Sequence, residues 1–347
     1  MVQEISLEQK LSNPQVSIII LNFNGLKFLS GCLNSLFNSN YSNFEVIFVD
    51  NNSSDGSVEF VKKVFGKNLY LKIIELNENY GVGRGNNIGS YNAKGKYLIF
   101  LNMDIEVHPD WINEIIKIFE KDNTIGAAQP KLLFLWDKKR INSMGHYLTA
   151  YGDWSNYVPY GQLDDNKDDN IKEIFIAFGA AIAVNSQIFK KVGMFDEDFF
   201  MYSEETDLCW RIWLSGYKVV LVPSSVVYHY EGGATGSSII KVTPKRAYYH
   251  TRNLLITMLK NYNNFNMFKY LPLSILNIFY GSLINIFINP RLITYHILAI
   301  VDFIRKFKNT WRKHISIKYL IRCIPDDLLF KKGLIRLRKK HITLDRR

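Results

Sequence analysis

An acidic residue follows a buried apolar run in the segment KYLIFLNMDIEV, which covers Lys96 to Val107. Tyr97 to Leu101 predicts a strand of a parallel sheet that is buried on both faces. Ligands of open α/β sheets bind at the carboxyl ends of the strands, where the crevice opens. Asp104 is therefore either a metal or phosphate-side ligand, or a turn residue that precedes a helix near Asp110.

A second group of acids, Glu204, Glu205 and Asp207, lies at the start of a helix predicted from about Ser203. Acids in the first turn complement the helix dipole, which would give all three a structural role. The alternative is that one carboxylate faces a cleft as a general base and deprotonates a hydroxyl, because crowding and burial raise its pKa toward the working range. Asp207 is also placed to pair with Arg211, one turn further along the helix.

Two further apolar runs end in polar residues. Val16 to Leu21 predicts the first strand and is followed by Asn22-Phe23-Asn24-Gly25, whereas Phe44 to Val49 predicts the next strand and is followed by Asp50. Asp50 can accept hydrogen bonds from a base or a ribose, as an acid does in dinucleotide-binding folds, although a plain turn would also use it.

A glycine-rich segment follows the third predicted strand, Leu71 to Leu76. Residues Asn77 to Gly89 read NENYGVGRGNNIG, with four glycines and four asparagines. The pattern predicts a loop in which the backbone approaches a ligand closely and the amides point at it. It is neither a P-loop nor a complete dinucleotide fingerprint.

These motifs occur in one order along the chain: VSIIILNFNG, VDNNSSDGS, NENYGVGRGNNIG, LNMD and GMFDEDFFMYSEETDLCWR, the last followed by VYHYEGGATG. The order resembles that of the family 2 glycosyltransferases with the GT-A fold, in particular their rhamnosyltransferase-like branch, over roughly residues 14–260. The resemblance implies an α/β fold with a mixed, mainly parallel sheet. It also implies an N-terminal extension (1–13), a catalytic domain (14–262) with a nucleotide-sugar half (14–107) and an acceptor half (108–262), and a helical basic C-terminal region (263–347).

The resemblance implies a donor pocket at named positions. Asn22, Asn24, Asp50 and Asn52 would surround the nucleoside of a nucleotide-sugar. The rest of the pocket would include Asn79, Gly81, Arg84 and Asn87, with Arg84 as a diphosphate contact, and also Asn102. Arg252 and Asn253 resemble the family's Arg-Asn pair, for which diphosphate or acceptor contact and ordinary surface charge are both open.

A metal site is implied at Asp104 and His229, which would hold Mg²⁺ or Mn²⁺ against the diphosphate. Asn102 stands where the family's metal motif has an acid, and Met103 stands where this branch usually has proline. The resemblance therefore implies metal dependence less firmly than it implies the fold.

The general base is implied at Glu205, where the family usually has Asp, with Glu204 as the alternative and Asp207 as a helix or acceptor contact. The implied reaction is an inverting transfer of a sugar to a saccharide or lipid-linked saccharide in cell-surface glycan synthesis. The donor would be dTDP-rhamnose, as the first choice, or a UDP-sugar. A nucleotide-binding regulatory protein and a nucleotidyltransferase are the alternatives. Residues 131–172 are either an acceptor loop or a mobile surface insertion.

The charge of the chain is concentrated at its C-terminal end. Residues 301–347 carry 15 of the 43 lysines and arginines and 4 of the 32 acids, so the first 300 residues are balanced. The uncharged segment 270–290 lies beside this basic tail, and the pair predicts helices that lie on an anionic membrane surface, held by Lys306, Lys308, Arg312 and Lys313. We expect no nucleic acid partner, because the balanced part offers no basic groove.

The cysteines and the first residues of the chain bear on where the protein works. The three cysteines are far apart and form no disulfide or zinc pattern, which is typical of a reducing compartment. The segment MVQEISLEQK has no signal-peptide pattern. The prediction is a cytoplasmic protein that is peripheral at the inner face of the cell membrane.

Overall fold

The computed structural model describes residues 13–165, 170–231, 243–284 and 291–337. The strands are β1 (Val16–Asn22), β2 (Phe44–Asp50), β3 (Leu71–Glu75), β4 (Tyr97–Asn102), β5 (Ile105–Val107), β6 (Ile125–Phe134), β7 (Ile141–Ser143), β8 (His146–Thr149), β9 (Trp154–Asn156), β10 (Lys172–Glu173), β11 (Ala181–Asn185), β12 (Lys218–His229) and β13 (Ile335–Arg336). The helices are α1 (Leu26–Phe37), α2 (Ser57–Phe65), α3 (Gly81–Tyr91), α4 (Trp111–Lys121), α5 (Ser186–Lys191), α6 (Glu204–Leu214), α7 (Pro244–Asn261), α8 (Asn264–Ile284), α9 (Arg291–Ser316) and α10 (Asp326–Lys331). A π-helical turn, Ile317–Ile321, follows α9.

The central sheet has ten strands and mixed direction, with the main order β10-β12-β6-β11-β4-β1-β2-β3. Strands β3, β2, β1 and β4 are parallel neighbours, and β11 runs antiparallel between β4 and β6. Asn22 is in register with Asp50 across β1 and β2, and Leu21 with Asn102 across β1 and β4. The predicted α/β fold with a mainly parallel sheet is confirmed, and its carboxyl edge brings polar residues of three strands together.

Helices cover both faces of the strands that carry this edge. Leu29, Leu33 and Leu36 of α1 are fully buried in one apolar cluster, which also contains Ile18 and Ile20 of β1. The opposite face of β1 is covered by α3, because Gly85 lies against Leu21 and Gly89 lies against Ile19. Burial on both faces explains why β1, β2 and β4 are continuous apolar runs.

The prediction of a glycine-rich loop over 77–89 is wrong for most of its length, because Gly81–Tyr91 is the helix α3. Glycine is a weak helix former, but here it lets the helix backbone approach the sheet closely. A Cβ atom built at Gly89 would lie 2.5 Å from Cγ2 of Ile19 and 3.1 Å from Cγ2 of Val49. The glycines therefore position α3 by packing as well as by conformational freedom.

We expect the substitution Gly89→Val to lower the free energy of unfolding by about 1–3 kcal/mol, since the added methyl groups overpack the contact with Ile19. Denaturant unfolding of the purified protein measures this effect. Gly281→Val is the matched control, because Gly281 also lies in a helix and a Cβ built there meets no atom within 4 Å. Equal destabilisation by the two variants would contradict the packing argument.

The described parts of the segment 131–172, which are residues 131–165 and 170–172, are built into the fold. Strands β7 and β8 are buried at every residue, and β8 pairs with β9 and β13 in a second, three-stranded sheet. The interpretation of a mobile surface insertion is therefore wrong for these strands. Trp136, at 64% exposure, is one of the aromatic residues of the segment that remain on the surface.

The C-terminal helices share an apolar core with the central sheet. Phe303, Ile317 and Leu329 are buried in the same apolar cluster as Phe100 of β4. The chain then returns to the second sheet, where Ile335 of β13 is in parallel register with Leu148 of β8. The predicted boundary between 262 and 263 falls between α7 and α8, which pack against each other. Among the described residues, no helix combines the length and the apolarity needed to cross a membrane.

Candidate functional site

A hydrogen-bonded group of polar side chains lies at the carboxyl edge of β1 and β2. Asn22 is fully buried, and its Nδ2 donates to Oδ1 of Asp50 at 2.7 Å and to Oγ of Ser53 at 3.0 Å. Oδ2 of Asp50 accepts from the backbone N–H of Ser53 at 2.8 Å. These bonds fix the loop after β2 and hold the buried Asp50 carboxylate beside Asn22 at the end of the sheet.

Asn24 and Asn52 lie on the exposed rim of the same group. Both adopt positive φ angles, 53° and 66°, a conformation that asparagine tolerates better than most residues. Oδ1 of Asn24 accepts from the backbone N–H of Ser54 at 2.8 Å, which links the loops after β1 and β2. The structure thus brings Asn22, Asn24, Asp50 and Asn52 together at one edge.

Asn51 was not among the predicted site residues, although its neighbour Asn52 was. Asn51 is buried, its Nδ2 donates to Oδ1 of Asn79 at 2.9 Å, and its Oδ1 accepts from the backbone N–H of Tyr80 at 2.9 Å. Oδ1 of Asn79 also accepts from the N–H of Gly81, the first residue of α3. Asn51 therefore joins the end of β2 to the start of α3.

Arg84 lies on the exposed side of α3. Its guanidinium carbon lies 4.0 Å from the centroid of the Tyr80 ring, and its Nε lies 3.8 Å from Oε2 of Glu197. Its side chain is 48% exposed. The guanidinium is thus at the surface beside Tyr80 and accessible to an anion.

A carboxylate and an imidazole meet at the ends of β4 and β12. Asp104 and His229 are both buried, with 3.5 Å between Oδ1 of Asp104 and Nε2 of His229. Strand pairing holds them there, because Ile105 of β5 is in register with His229 and the N–H of Tyr230 donates to the carbonyl of Asp104. The structure brings together the two predicted metal ligands, and Asn102 ends β4 two residues before Asp104.

The partners of His229 fit a metal ligand. Nδ1 of His229 lies 3.0 Å from Oδ1 of Asn142, while Nδ2 of Asn142 donates to Oε2 of Glu231 at 2.7 Å. This arrangement assigns the imidazole proton to Nδ1 and turns the lone pair of Nε2 toward Asp104. A carboxylate and a neutral imidazole are groups that would hold a divalent cation, and such ions complete their shells with water and substrate phosphates. The residues present therefore fit Mg²⁺ or Mn²⁺.

We expect Asn142→Ala to weaken Mn²⁺ binding by roughly 10- to 100-fold, because His229 loses the acceptor that orients its ring. Calorimetric titration of the purified protein with Mn²⁺, with and without nucleoside diphosphate, measures the affinity. The control is Asn34→Ala, which removes an exposed amide on α1. Unchanged affinity in Asn142→Ala would show that Asn142 does not support a metal ligand.

The acids at the start of α6 lie in two different environments. Tyr202 and Ser203, which precede the helix, both adopt positive φ angles, 68° and 66°, so the chain turns sharply before Glu204. Burial, and then the charge of Glu205, raises the pKa of the Glu204 carboxyl well above its usual value. Burial raises the pKa of Glu205 to about 7. Of the two acids, Glu205 is therefore the candidate for exchanging a proton near neutral pH.

The predicted site residues His229, Glu205 and Asn102 lie beside three consecutive residues, Phe178, Gly179 and Ala180. The Phe178 ring lies against His229, with 5.9 Å between ring centroids, and the carbonyl of Ala180 accepts from the N–H of Asn102 at 2.9 Å. A Cβ atom built at Gly179 would lie 3.5 Å from Cδ of Glu205. One short segment thus borders the base candidate, the histidine and the end of β4.

The family model of glycosyl transferase family 2 matches residues 17–193, which is just over half of the chain. The chain belongs to this family.

Relatives of this glycosyltransferase family member include an uncharacterized glycosyltransferase of Rickettsia prowazekii. It is 27% identical over 230 residues, which cover 65% of this chain and 64% of that protein. The chain thus spans a little under two thirds of the length of this relative.

Solved structures of other proteins share the GT-A fold. TarS 1-349 of S. aureus, in complex with UDP-GlcNAc, has a TM-score of 0.57 at 17% identity, and the alignment covers 92% of each chain. GalNAc-T7, with UDP, GalNAc and Mn²⁺, has a TM-score of 0.61 at 18% identity, over 93% of this chain and 58% of that one. At these identities the likeness establishes the fold alone.

Asn87 of this family 2 member, which the sequence predicted in the donor pocket, is hydrogen-bonded to the loop before α6. It is buried, its Nδ2 donates to the carbonyl of Phe195 at 2.9 Å and to Oε1 of Glu197 at 3.1 Å, and its Oδ1 accepts from the N–H of Phe195. These bonds tie α3 to the loop that leads to α6, so the structure gives Asn87 a role in holding that loop.

Asp207 is enclosed by cations. Oδ2 of its fully buried carboxylate accepts from Nη2 of Arg211 at 2.7 Å and from Nζ of Lys260 at 2.8 Å, and Oδ1 accepts from Nδ2 of Asn261 at 2.8 Å. Burial alone would raise the pKa of Asp207, but the charges of Arg211 and Lys260 outweigh it and hold that pKa below its usual value. The predicted pairing with Arg211 is confirmed, and the occupied carboxylate fits the structural role rather than a catalytic one.

Arg252 and Asn253 hold the same loop from α7. The Arg252 guanidinium is buried, with Nη2 donating to the carbonyl of Asp198 at 3.0 Å and Nη1 to Oδ2 of Asp302 at 3.2 Å. Nδ2 of Asn253 donates to the carbonyls of Met201 and Tyr202 at 2.8 and 2.7 Å. The pair therefore fastens the sharp turn before Glu204 and Glu205, and the guanidinium of Arg252 is engaged with protein groups there.

Proposed function

We propose that the protein is an inverting glycosyltransferase that moves a sugar from a nucleotide-sugar to a hydroxyl of a saccharide or lipid-linked saccharide acceptor. The observation that carries this proposal is the segment Phe178–Ala180. It borders Glu205 at Gly179, His229 at Phe178 and Asn102 at Ala180, so the proposed base, one proposed metal ligand and the end of β4 all contact one short segment.

Each of the proposed site residues has its own role in the proposed reaction. Asn22, Asp50 and Asn51 hold the loops at the nucleoside end, and Arg84 offers an accessible cation to the diphosphate. Asp104 and His229 would hold Mg²⁺ or Mn²⁺, which when bound neutralises negative charge on the leaving group. The crystal structure of GalNAc-T7 with UDP and Mn²⁺ supports this metal.

Glu205 is the general base of the proposed reaction. Its carboxylate takes the proton of the acceptor hydroxyl while the oxygen attacks the anomeric carbon, and the nucleoside diphosphate leaves from the opposite side. A single displacement inverts the anomeric configuration. The glycine at position 179 leaves room beside the carboxylate, because any larger residue would place a Cβ atom 3.5 Å from Cδ of Glu205.

We expect the transfer rate to rise with pH through about 7 and to level off above it, because the pKa of Glu205 is about 7 and only the carboxylate can accept a proton. Initial rates measured at saturating donor in overlapping buffers give this profile. Donor affinity measured over the same pH range is the control. A rate that stays constant between weakly acid and weakly alkaline pH would argue against Glu205 as the base.

The donor is proposed to be dTDP-rhamnose or a UDP-sugar. The ordered motifs of the sequence support rhamnose, and the UDP-GlcNAc bound by TarS supports a UDP-sugar. The acceptor is proposed to be met at the cytoplasmic face of the cell membrane, which suits a lipid-linked saccharide of cell-surface glycan synthesis.

A donor panel tests the proposal directly. The purified full chain is incubated with nucleotide-sugars, Mn²⁺ or Mg²⁺ and a lipid extract, and nucleoside diphosphate release is measured for the wild type, Asp104→Ala and His229→Ala. Release from one donor that is lost in both variants supports the proposal. Binding of a nucleotide without turnover of any donor would favour a nucleotide-binding regulatory protein instead.

A further inference from the structure

Exposed apolar side chains are concentrated on α8 and α9. Phe265, Phe268, Leu276, Tyr280 and Leu283 of α8 are between 62% and 73% exposed, and Ile304 of α9 is 63% exposed. We call these six residues the α8–α9 face. Monomeric soluble proteins rarely expose so many large apolar side chains close together, and such surfaces mark interaction sites.

The core of the protein does not use this side of α8. Met267, Tyr270 and Ser274 are buried at helical spacing and form the side that packs inward. Phe268, Leu276 and Tyr280 lie on the other side of the same helix. Because α8 is apolar on both sides, its outer side needs a second apolar environment that the described residues do not supply.

The exposed charges of this part of the chain are mainly positive. Lys269, Arg305, Lys308, Arg312 and Lys318 are exposed, and none of them forms an ion pair with a described residue. Three acids fall between residues 264 and 337: Asp302 accepts from Tyr248 and Arg252, Asp326 is buried, and Asp327 is exposed. The exposed charges of the described residues between 264 and 337 are therefore mainly cations, with Asp327 as the exposed acid.

Two of the predicted membrane contacts face inward instead. Nζ of Lys306 lies 3.1 Å from Oδ1 of Asp198, and Nζ of Lys313 lies 2.6 Å from Oδ2 of the same residue. Lys313 also pairs with Asp196. The sequence prediction was wrong for Lys306 and Lys313, which hold the loop before α6, whereas Lys308 and Arg312 remain on the outer side.

We propose that the α8–α9 face docks on an anionic phospholipid membrane. The apolar side chains enter the acyl boundary of one leaflet and the surrounding cations contact the phosphates, as in helices that lie in the membrane plane. A second copy of the chain is a poorer occupant, because a two-fold contact would bring the same cations against each other. The inference deepens the proposed function by naming the surface at which a lipid-linked acceptor is met, and rests on that function only for the acceptor.

Vesicle flotation of the full chain tests the docking. Vesicles of phosphatidylcholine are compared with vesicles that also contain phosphatidylglycerol, at low and high salt. The wild type is expected to float with the anionic vesicles, and less so at high salt. A variant with Leu276→Ser, Tyr280→Ser and Ile304→Ser is expected to bind at least about ten-fold more weakly, since each change removes apolar area from the contact. A charge variant, Arg305→Gln with Lys308→Gln and Arg312→Gln, is expected to lose the preference for anionic lipid.

The control variant carries Val64→Ser and Leu69→Ser, which remove exposed apolar side chains far along the chain from this face. Nucleotide binding by each variant verifies folding and needs no catalysis, so docking and the proposed reaction can fail separately. Equal flotation of the wild type and the apolar variant would overturn the proposal. A wild type that stays off vesicles and sediments as a dimer, with the apolar variant monomeric, would assign the face to a second copy.

Discussion

Glu205→Gln is expected to lower the transfer rate by roughly 10²- to 10⁴-fold, the range over which positioned general bases act. Glutamine keeps the size of the side chain and its place beside Gly179, but it cannot take a proton from the acceptor hydroxyl. Donor affinity should therefore stay close to that of the wild type. Steady-state kinetics with separate calorimetric measurement of donor binding distinguishes the two effects.

Glu204→Gln is the matched control, because the two acids are neighbours in sequence and both start α6. Burial raises the pKa of the Glu204 carboxyl well above its usual value and so favours its neutral form, which glutamine resembles, and the rate should change by less than about ten-fold. The Glu205→Gln variant should also lose the rise of the residual rate through about pH 7. The opposite pattern, an active Glu205→Gln and an inactive Glu204→Gln, would make Glu204 the base.

Asp207→Ala is expected to act on the fold instead, with a loss of about 3–5 kcal/mol in the free energy of unfolding, as for other broken buried ion pairs. The substitution leaves the buried Arg211 guanidinium with the carbonyl of Val192 and removes its carboxylate partner. Lys260 keeps its other partner, Asp196. Denaturant unfolding measures the change.

The ion pair between Lys62 and Glu75 serves as the control for this measurement. Both of its side chains are about half exposed, so Glu75→Ala should cost less than about 1 kcal/mol. The fall in the free energy of unfolding at acid pH gives a second readout. The folded-state pKa of Asp207 is held below its usual 3.8, so its contribution is present above that pH and is lost as the pH falls further. In Asp207→Ala the free energy of unfolding should depend less on pH in this acid range. An unchanged pH dependence would mean that the cations do not stabilise the carboxylate.

The strands at the site were predictable because burial on both faces leaves a simple pattern. The predicted β1, β2, β3 and β4 agree with the structure to within one residue at each end. The acids and amides at their ends were predictable for the same reason, because parallel strands present their carboxyl ends on one edge.

Long-range partners and close packing were not predictable from local pattern. Asn142 lies 87 residues before His229 in the chain and comes from a segment without a clear motif. The glycines of α3 are poor helix formers and predict a loop, whereas in the structure Gly85 and Gly89 let the helix pack closely against β1. The inward direction of Lys306 and Lys313 depends on Asp196 and Asp198, more than 100 residues away in the sequence.

The return of β13 to β8 determines how this protein can be shortened. A version that ends at residue 262 would lose the neighbours of Leu148 and would uncover Tyr262, which lies beside Tyr270 in the complete chain. Its failure to bind vesicles could therefore reflect unfolding alone. A form suited to crystallisation or assay in detergent-free buffer should keep the chain through Arg336 and should instead exchange surface side chains of α8 for polar ones.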